Sequence, residues 1–182
     1  MNILLHSCCG PCSIYPLKRI QQQGFSVSGY FYNPNVHPYK EFRRRLVAAD
    51  EYFQKIGVPL IIERKYGLVQ FLRAVVNNEK KRCSYCYRER LEKTAEKAAE
   101  DGFDSFSTTL LYSKYQNHQE IYSLCEKLAE NHSILFYYED FRKGWQEAID
   151  ISRELEMYRQ PYCGCIYSEQ ERYDKNYRKA IG

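Results

Sequence analysis

A chain of 182 residues, of which 44% are hydrophobic and 27% charged, has the length and composition of a globular domain and excludes a disordered protein. No apolar run approaches the ~18 residues of a membrane span, and the first residues lack the basic and apolar regions of a signal peptide, so we expect a cytoplasmic protein without membrane contact. The formal net charge of +4 and the 18 tyrosines suit a nucleic-acid partner, although a tyrosine-rich core is the simpler explanation of the aromatic count.

Short apolar segments rich in β-forming residues alternate along the chain with charged segments of helical period. In chain order, the pattern predicts a strand over 2–7, a helix over 13–23, a strand over 25–32, a helix over 39–56, a strand over 58–63, helices over 68–77 and 88–100, a strand over 103–110, a helix over 118–131, a strand over 134–138 and a helix over 144–159. Strands that alternate with crossover helices are typical of an α/β fold with a mostly parallel sheet of about five strands flanked by helices. We expect one domain over residues 1–182, with a C-terminal helical segment from about residue 144.

Three unusual segments lie at the carboxyl ends of predicted strands: the first two follow a strand directly, and the third closes one. They are residues 8–12, 33–35 and 107–109. Because ligands of parallel α/β sheets bind beyond the carboxyl ends of the strands, these segments predict an active site at that edge of the sheet.

Eight cysteines in a chain expected in a reducing compartment indicate metal or redox chemistry rather than structural disulfides. Seven of them form three groups: Cys8, Cys9 and Cys12 in the first strand-to-helix turn, Cys83 and Cys86 in a C-x-x-C motif at a helix start, and Cys163 with Cys165 near the C-terminus. A helix N-terminus favours thiolates at the first two groups. The eighth, Cys125, lies on an apolar helical face and is expected in the core.

Four thiolates from two sites suit either a zinc ion or a cubane iron–sulfur cluster. The adjacent Cys8 and Cys9 are awkward ligands for one tetrahedral ion but can reach two corners of a larger cluster. A closed zinc site also leaves three cysteines unexplained. The pattern favours an iron–sulfur redox enzyme, while a zinc-stabilised RNA-binding module without catalysis and a thiol–disulfide oxidoreductase using the C-x-x-C motif stay open as alternatives.

Five segments in combination resemble the QueH-type epoxyqueuosine reductases. They are LLHSCCGPCS, YNPNVHPYKEFRRRL, RCSYCYRERL, STTLLYSKYQNH and the late YCGC. The resemblance implies the last step of queuosine synthesis, in which the epoxide oxygen of epoxyqueuosine at the wobble position of tRNA is removed and an external donor supplies electrons. It also implies catalysis without cobalamin.

The resemblance also implies roles for individual cysteines. Cys8, Cys9, Cys83 and Cys86 match the family's [4Fe–4S] ligands, and Cys163 with Cys165 matches its redox-active pair. An additional iron ion is implied beside the cluster, and Cys12 is the candidate ligand for it on position alone.

The predicted architecture is similar to nucleotide-hydrolase-like, Rossmann-like three-layer folds that bind ATP after the first strand. Those proteins carry an S-G-G-x-D-S loop there, whereas this chain has SCCGPC at residues 7–12. We therefore expect no use of ATP.

Two loops are candidate substrate sites. One contains Asn33 and Asn35, and it either lines the substrate pocket or is a plain connector. The other interleaves aromatic, basic and amide groups, which is typical of a site that stacks a flipped base and holds phosphate. Its candidate residues are Tyr112, Lys114, Tyr115, Asn117 and His118.

Two further features have alternative interpretations. His6 is either a hydrogen-bond donor beside the metal site or a hydrogen-bonded core histidine. The basic runs 43–45 and 80–82 are expected to be solvated faces, although the second directly precedes the C-x-x-C motif, where an RNA backbone would pass.

Overall fold

In a computed structural model, which describes residues 1–181 and the side chains of residues 1–179, five parallel strands form one sheet in the order β3–β2–β1–β4–β5. The strands are β1 (Asn2–His6), β2 (Ser26–Phe31), β3 (Leu60–Ile62), β4 (Ser105–Thr108) and β5 (Leu135–Phe136). Helices connect them as crossovers, which confirms the predicted α/β fold. No described helix combines the length and apolar character needed to cross a bilayer.

Eight helices accompany the sheet in the described part of the chain. They are α1 (Gly10–Gln22), α2 (Tyr39–Lys55), α3 (Leu68–Val75), α4 (Arg82–Glu100), α5 (His118–His132), α6 (Trp145–Glu154), α7 (Ile166–Tyr173) and α8 (Lys175–Ile181). Short 3₁₀ turns cover Glu79–Lys81, Thr109–Tyr112 and Phe141–Gly144.

The helices differ from the prediction at three places. α1 begins at Gly10 rather than at residue 13, because Pro11 fits a first helical turn, where no N–H donor is needed. α4 begins at Arg82 rather than at residue 88, so it includes the C-x-x-C motif. The predicted helix over 144–159 ends at Glu154, and the next eleven residues cross the sheet edge without regular structure before α7 begins.

The core lies on both faces of β1, whose residues Ile3, Leu4 and Leu5 have no exposed surface. Such a continuous apolar run is expected of a central parallel strand covered on both sides. The order of the strands reverses at β1, and this switch point opens a crevice at the carboxyl ends of β1 and β4. The residues that follow these two strands are therefore the first candidates for a functional site.

Candidate active site

Three cysteines meet where β1 ends and α1 begins. The Sγ atoms of Cys8, Cys9 and Cys12 lie within 4.8 Å of one another. Cys9 caps the N-terminus of α1 and Cys12 lies in its first turn, so the helix dipole favours negative charge at these sulfurs. Gly10 allows this turn to pack closely, because a Cβ there would lie 2.5 Å from the main-chain oxygen of Ala48 on α2. We name these three cysteines the triplet.

The three thiols of the triplet differ in acidity. Hydrogen bonds from the thiols of Cys12 and Cys9 lower the pKa of Cys8 well below its ordinary value. Burial raises the pKa of Cys9, and the hydrogen bonds that Cys12 makes to the other two thiols raise its own pKa. Cys8 is therefore the thiol of the triplet that ionises most readily, and a metal ion bound to the other two would displace their protons.

A glutamine side chain covers the triplet. Gln160, in the segment after α6, donates from Nε2 to the Cys12 Sγ at 3.0 Å and accepts at Oε1 from the Cys9 Sγ at 3.1 Å. On the other side, the Cys8 N–H donates to the Thr109 Oγ1 beyond β4 at 3.1 Å. The triplet is thus held by residues from both ends of the chain.

The other four predicted site cysteines form a second group, composed of Cys83, Cys86, Cys163 and Cys165. Cys86 and Cys165 are buried in one apolar cluster together with Phe71, whereas Cys83 and Cys163 are exposed. The Cys163 Sγ accepts from the Gln116 Nε2 at 3.2 Å. The structure therefore brings the C-terminal pair to the C-x-x-C motif, although 77 or more positions of sequence separate them.

Arg90 lies between the triplet and the second group. Its buried guanidinium donates from Nη2 to the Cys86 Sγ at 2.9 Å. Burial lowers the pKa of Arg90, but the sulfurs of Cys86, Cys163 and Cys8 outweigh burial and raise it above its ordinary value. A cation shared by sulfurs of both groups offsets the negative charge that metal-bound thiolates carry.

The donor set fits a thiolate-bound metal or cluster. All eight cysteines are free, and soft sulfur ligands select zinc or iron–sulfur clusters. Cys83 and Cys86 do not belong to the compact triplet, so a single ion would bind Cys8, Cys9 and Cys12. A cluster with several iron corners draws ligands from farther apart and can use both groups. Burial raises the pKa of Cys86 to about 12, so binding at this sulfur would release a proton.

A buried arginine anchors the C-terminal pair. Arg45 on α2 is 1% exposed, pairs with Glu41 at 2.7 Å, and donates to the main-chain oxygens of Tyr162 and Cys163 at 2.8 and 2.7 Å. The expectation that residues 43–45 form a solvated face is therefore wrong for Arg45 and correct for its two neighbours. The hydrogen bonds to these two main-chain oxygens help to compensate the buried charge of Arg45, and they also fix the position of the Cys163–Cys165 turn.

We expect the replacement of Arg45 by methionine to destabilise the fold by about 3–5 kcal/mol, because it leaves the buried Glu41 carboxylate without its cation. The midpoint of urea unfolding measures this effect. Arg43→Met, two positions earlier and exposed, should change stability by less than about 0.5 kcal/mol. Equal effects of the two substitutions would contradict the anchoring role of Arg45.

The loop after β2 is buried beside the second group. Asn33 donates from Nδ2 to the main-chain oxygen of Ser7 at 2.9 Å, and its Oδ1 and that of Asn35 are buried without a partner in the described structure. Asn35 also lines a small cavity of about 10 Å³ that includes Cys86 and Glu89. Two buried amide oxygens without a partner, one of them beside the Cys86 sulfur, are consistent with the predicted pocket-lining role of this loop.

The second predicted substrate loop divides into structural and exposed residues. Tyr112 is buried and stacks on Trp145 at 5.1 Å between ring centroids, Asn117 caps α5, and His118 packs edge-on against Tyr138. Two residues remain available to a ligand. They are Tyr115, which is 84% exposed, and Lys114, whose Nζ lies 5.6 Å from the centre of the Trp145 ring.

His6 has the contacts of a core histidine. Its Nδ1 lies 3.0 Å from the Thr108 Oγ1 and its Nε2 lies 3.2 Å from the main-chain oxygen of Tyr32. Both ring nitrogens therefore have partners within the fold. Of its two interpretations, these contacts favour the structural one.

Comparison with known proteins adds to this geometry. A family model described as epoxyqueuosine reductase QueH matches residues 3–171. The chain belongs to the QueH family. A protein of Dehalococcoides mccartyi named epoxyqueuosine reductase QueH is 42% identical over 174 residues, which cover 96% of each chain. A Thermotoga maritima protein of the same name is 34% identical over 188 residues, which cover 96% of this chain and 94% of the relative.

A solved structure shares the fold of this QueH-family chain. It is described as a predicted subunit of tRNA methyltransferase from Methanocaldococcus jannaschii, with a TM-score of 0.59 and 16% identity, over 85% of this chain and 75% of that one. Identity this low shows the fold alone. It supports the expected nucleotide-hydrolase-like, Rossmann-like architecture.

Four site residues of this QueH-family chain were not predicted from the sequence. They are Arg45, Arg90, Gln116 and Gln160, which each bond a cysteine sulfur or main-chain oxygen. Arg90 had a local signal, because it follows Cys86 by four positions on one helix and residues at that spacing are neighbours. Nothing in the sequence around the two glutamines indicates a sulfur as their partner.

His37 makes the stability of the chain depend on pH. The ring is fully buried between Tyr66 and Phe71, and burial lowers its pKa to about 4. As pH falls below the ordinary value of 6.5, the unfolded chain gains the proton first, so the free energy of unfolding decreases until about pH 4. We expect this loss to reach about 3 kcal/mol.

Urea unfolding between pH 7 and pH 4 tests the prediction, with His37→Gln as the variant that cannot titrate. The variant should lose less stability over this range than the wild type. His132→Gln, on the partly exposed last turn of α5, should retain the wild-type dependence. A His37→Gln profile parallel to that of the wild type would contradict the assignment.

Proposed function

We propose that this chain is an epoxyqueuosine reductase that converts epoxyqueuosine in tRNA to queuosine and water. The observation that carries the proposal is the convergence of the triplet and the second group on the carboxyl edge of the sheet, in a member of the QueH family. Both thiol groups lie where α/β sheets bind their ligands. The relatives are named for this activity.

We assign cofactor ligands on the resemblance and on this convergence. Cys8, Cys9, Cys83 and Cys86 would hold a [4Fe–4S] cluster, and Cys12 an additional iron ion. When bound, such a centre supplies single-electron transfer and a Lewis acid for the epoxide oxygen. Arg90 and Gln160 donate N–H groups to two of the sulfurs, and such donors shift the potential of a bound cluster.

The Cys163–Cys165 pair would provide the reducing equivalents. Oxidation of a dithiol to a disulfide releases two electrons and two protons, the amounts that convert an epoxide into an alkene and water. The exposed Cys163 is accessible to an external electron donor, whereas Cys165 is buried against the apolar cluster of Cys86. Attack of a donor thiolate on Cys163 would restore the dithiol through a mixed disulfide.

The substrate would be held by the two predicted loops. Asn33 and Asn35 offer buried amide oxygens, that of Asn35 beside Cys86, and Tyr115 offers an exposed ring on which a base can stack. Lys114 is exposed next to that ring and suits a phosphate. We propose that the chain works as a single domain in the cytoplasm, with tRNA and an external electron donor as partners and without ATP or cobalamin.

Anaerobic purification of the full chain tests the proposal. We expect a brown protein that absorbs broadly near ~400 nm and contains about four or more irons per chain. With dithionite as the reductant, it should remove one oxygen from epoxyqueuosine in tRNA, as measured by the mass of the released nucleoside. A colourless protein with stoichiometric zinc would instead support an RNA-binding module without catalysis.

A further inference from the structure

A basic groove lies on the outer face of α2, next to the active site. Its volume is about 420 Å³ and its lining residues are Lys40, Arg43, Arg44, Val47, Ala48, Glu51 and Tyr158. The three cations and Val47 are exposed. The groove therefore combines three cations with the apolar side chains of Val47 and Ala48, and among the described residues Glu51 alone contributes a carboxylate to its lining.

The cations of this groove form no ion pair within the described part of the fold. Among the described residues, no carboxylate lies within ion-pair distance of Lys40, Arg43 or Arg44, whereas Arg45 on the same helix is paired. The guanidinium of Arg44 lies over the Tyr158 ring, 5.6 Å from its centre. This contact orders the side chain, and no carboxylate of the described residues competes with an anion for its N–H groups.

The groove is connected to the thiols by hydrogen bonds. The Tyr158 hydroxyl donates to Glu41, Glu41 pairs with Arg45, and Arg45 donates to the main-chain oxygen of Cys163. The groove residue Ala48 also packs against Gly10 in the triplet turn. The groove therefore neighbours both the turn that carries Cys163 and the turn that carries the triplet.

We propose that this groove binds the RNA phosphate backbone next to the nucleotide that enters the active site. Three cations without an ion-pair partner suit consecutive phosphates, and the apolar side chains of Val47 and Ala48 suit ribose carbons. The inference rests on the proposed function and specifies where its RNA substrate binds. The proposal assigns RNA binding to this face and not to the other basic run, residues 80–82. In that run Arg82 pairs with Glu171, and Lys80 and Lys81 are exposed.

Fluorescence anisotropy tests the proposal. It measures how tightly the full chain binds a fluorescein-labelled, unmodified RNA hairpin of anticodon stem–loop size. The double variant Arg43→Ala/Arg44→Ala should bind at least about 10-fold more weakly at low salt. The slope of log Kd against log salt should fall by about 2, one for each lost phosphate contact. Circular dichroism melts confirm that each variant is folded.

The matched control is Lys55→Ala/Lys127→Ala, which removes two exposed lysines elsewhere. Lys55 lies on α2 itself, about 22 Å from Lys40 along the axis. The control should bind the hairpin like the wild type. Equal weakening by the control, or weakening by Lys80→Ala/Lys81→Ala with no effect of the groove variant, would overturn the proposal.

The binding measurement does not depend on whether the chain reduces epoxyqueuosine, so the two proposals can fail separately. Groove-dependent binding by a chain that does not reduce epoxyqueuosine would support the groove and refute the proposed function. Reduction by a chain whose groove variants bind the hairpin like the wild type would refute the groove alone. If the groove variant binds heparin more weakly but binds the hairpin like the wild type, the groove belongs to another polyanion and the proposal is also overturned.

Discussion

Replacement of Cys9 by serine should remove most of the bound iron and the absorption near ~400 nm. Cys9 is 1% exposed and caps α1, with its Sγ 3.9 Å from that of Cys8. The serine oxygen is a harder ligand than sulfur, and a hydroxyl is less acidic than a thiol, so it replaces the thiolate poorly as an iron ligand. Iron per chain, measured after anaerobic reconstitution, gives the result.

The matched control for this substitution is Cys125→Ser. Cys125 is also buried, but it lies on α5 in the hydrophobic core, as predicted. Burial raises the pKa of its thiol well above the ordinary value, as expected for an inert cysteine. We expect Cys125→Ser to lower stability by about 1–3 kcal/mol, because a hydroxyl is buried there, and to leave the iron content unchanged. Loss of iron in Cys125→Ser but not in Cys9→Ser would refute the ligand assignment.

The sheet was predictable because its signals are local. Each strand is a short apolar run, and the charged segments between them have helical period, so the order of elements follows from pattern alone. The helix starts were less accurate. Pro11 and the C-x-x-C motif look like parts of loops in isolation, yet both lie in first helical turns, where proline and polar residues are tolerated.

The thiols of the site were predictable, and the groups that hold them were not. Spacing alone identified the triplet and the C-x-x-C motif. Arg45 lies in a run of three arginines, and only tertiary contact with the late Tyr162–Cys163 main chain separates it from its solvated neighbours. Trp145 contacts Tyr112 and Lys114 only in the folded chain, since about 30 positions of sequence separate it from both. Contacts between distant segments depend on the fold, so they leave no local pattern in the sequence.

The replacement of either Cys163 or Cys165 by alanine should leave the iron content unchanged and lower the turnover of epoxyqueuosine by ~100-fold or more. The main chain at this turn is fixed independently of its sulfurs: Arg45 holds the Cys163 oxygen, and the His37 N–H donates to the Gly164 oxygen at 2.8 Å. Loss of a sulfur therefore removes the dithiol without moving the other thiols.

The double variant Cys163→Ala/Cys165→Ala distinguishes a dithiol that acts as one unit from two cysteines with independent roles. If Cys163 and Cys165 act as one redox unit, either single substitution removes the whole function, so the double variant should be no slower than the singles. Ser168→Ala is the control, because its hydroxyl contacts the Cys165 Sγ at 3.6 Å and it carries no electrons. It should retain turnover within about 10-fold. A single alanine variant that loses one iron per chain and keeps the rest would show that the pair binds metal, and the relay role would then be wrong.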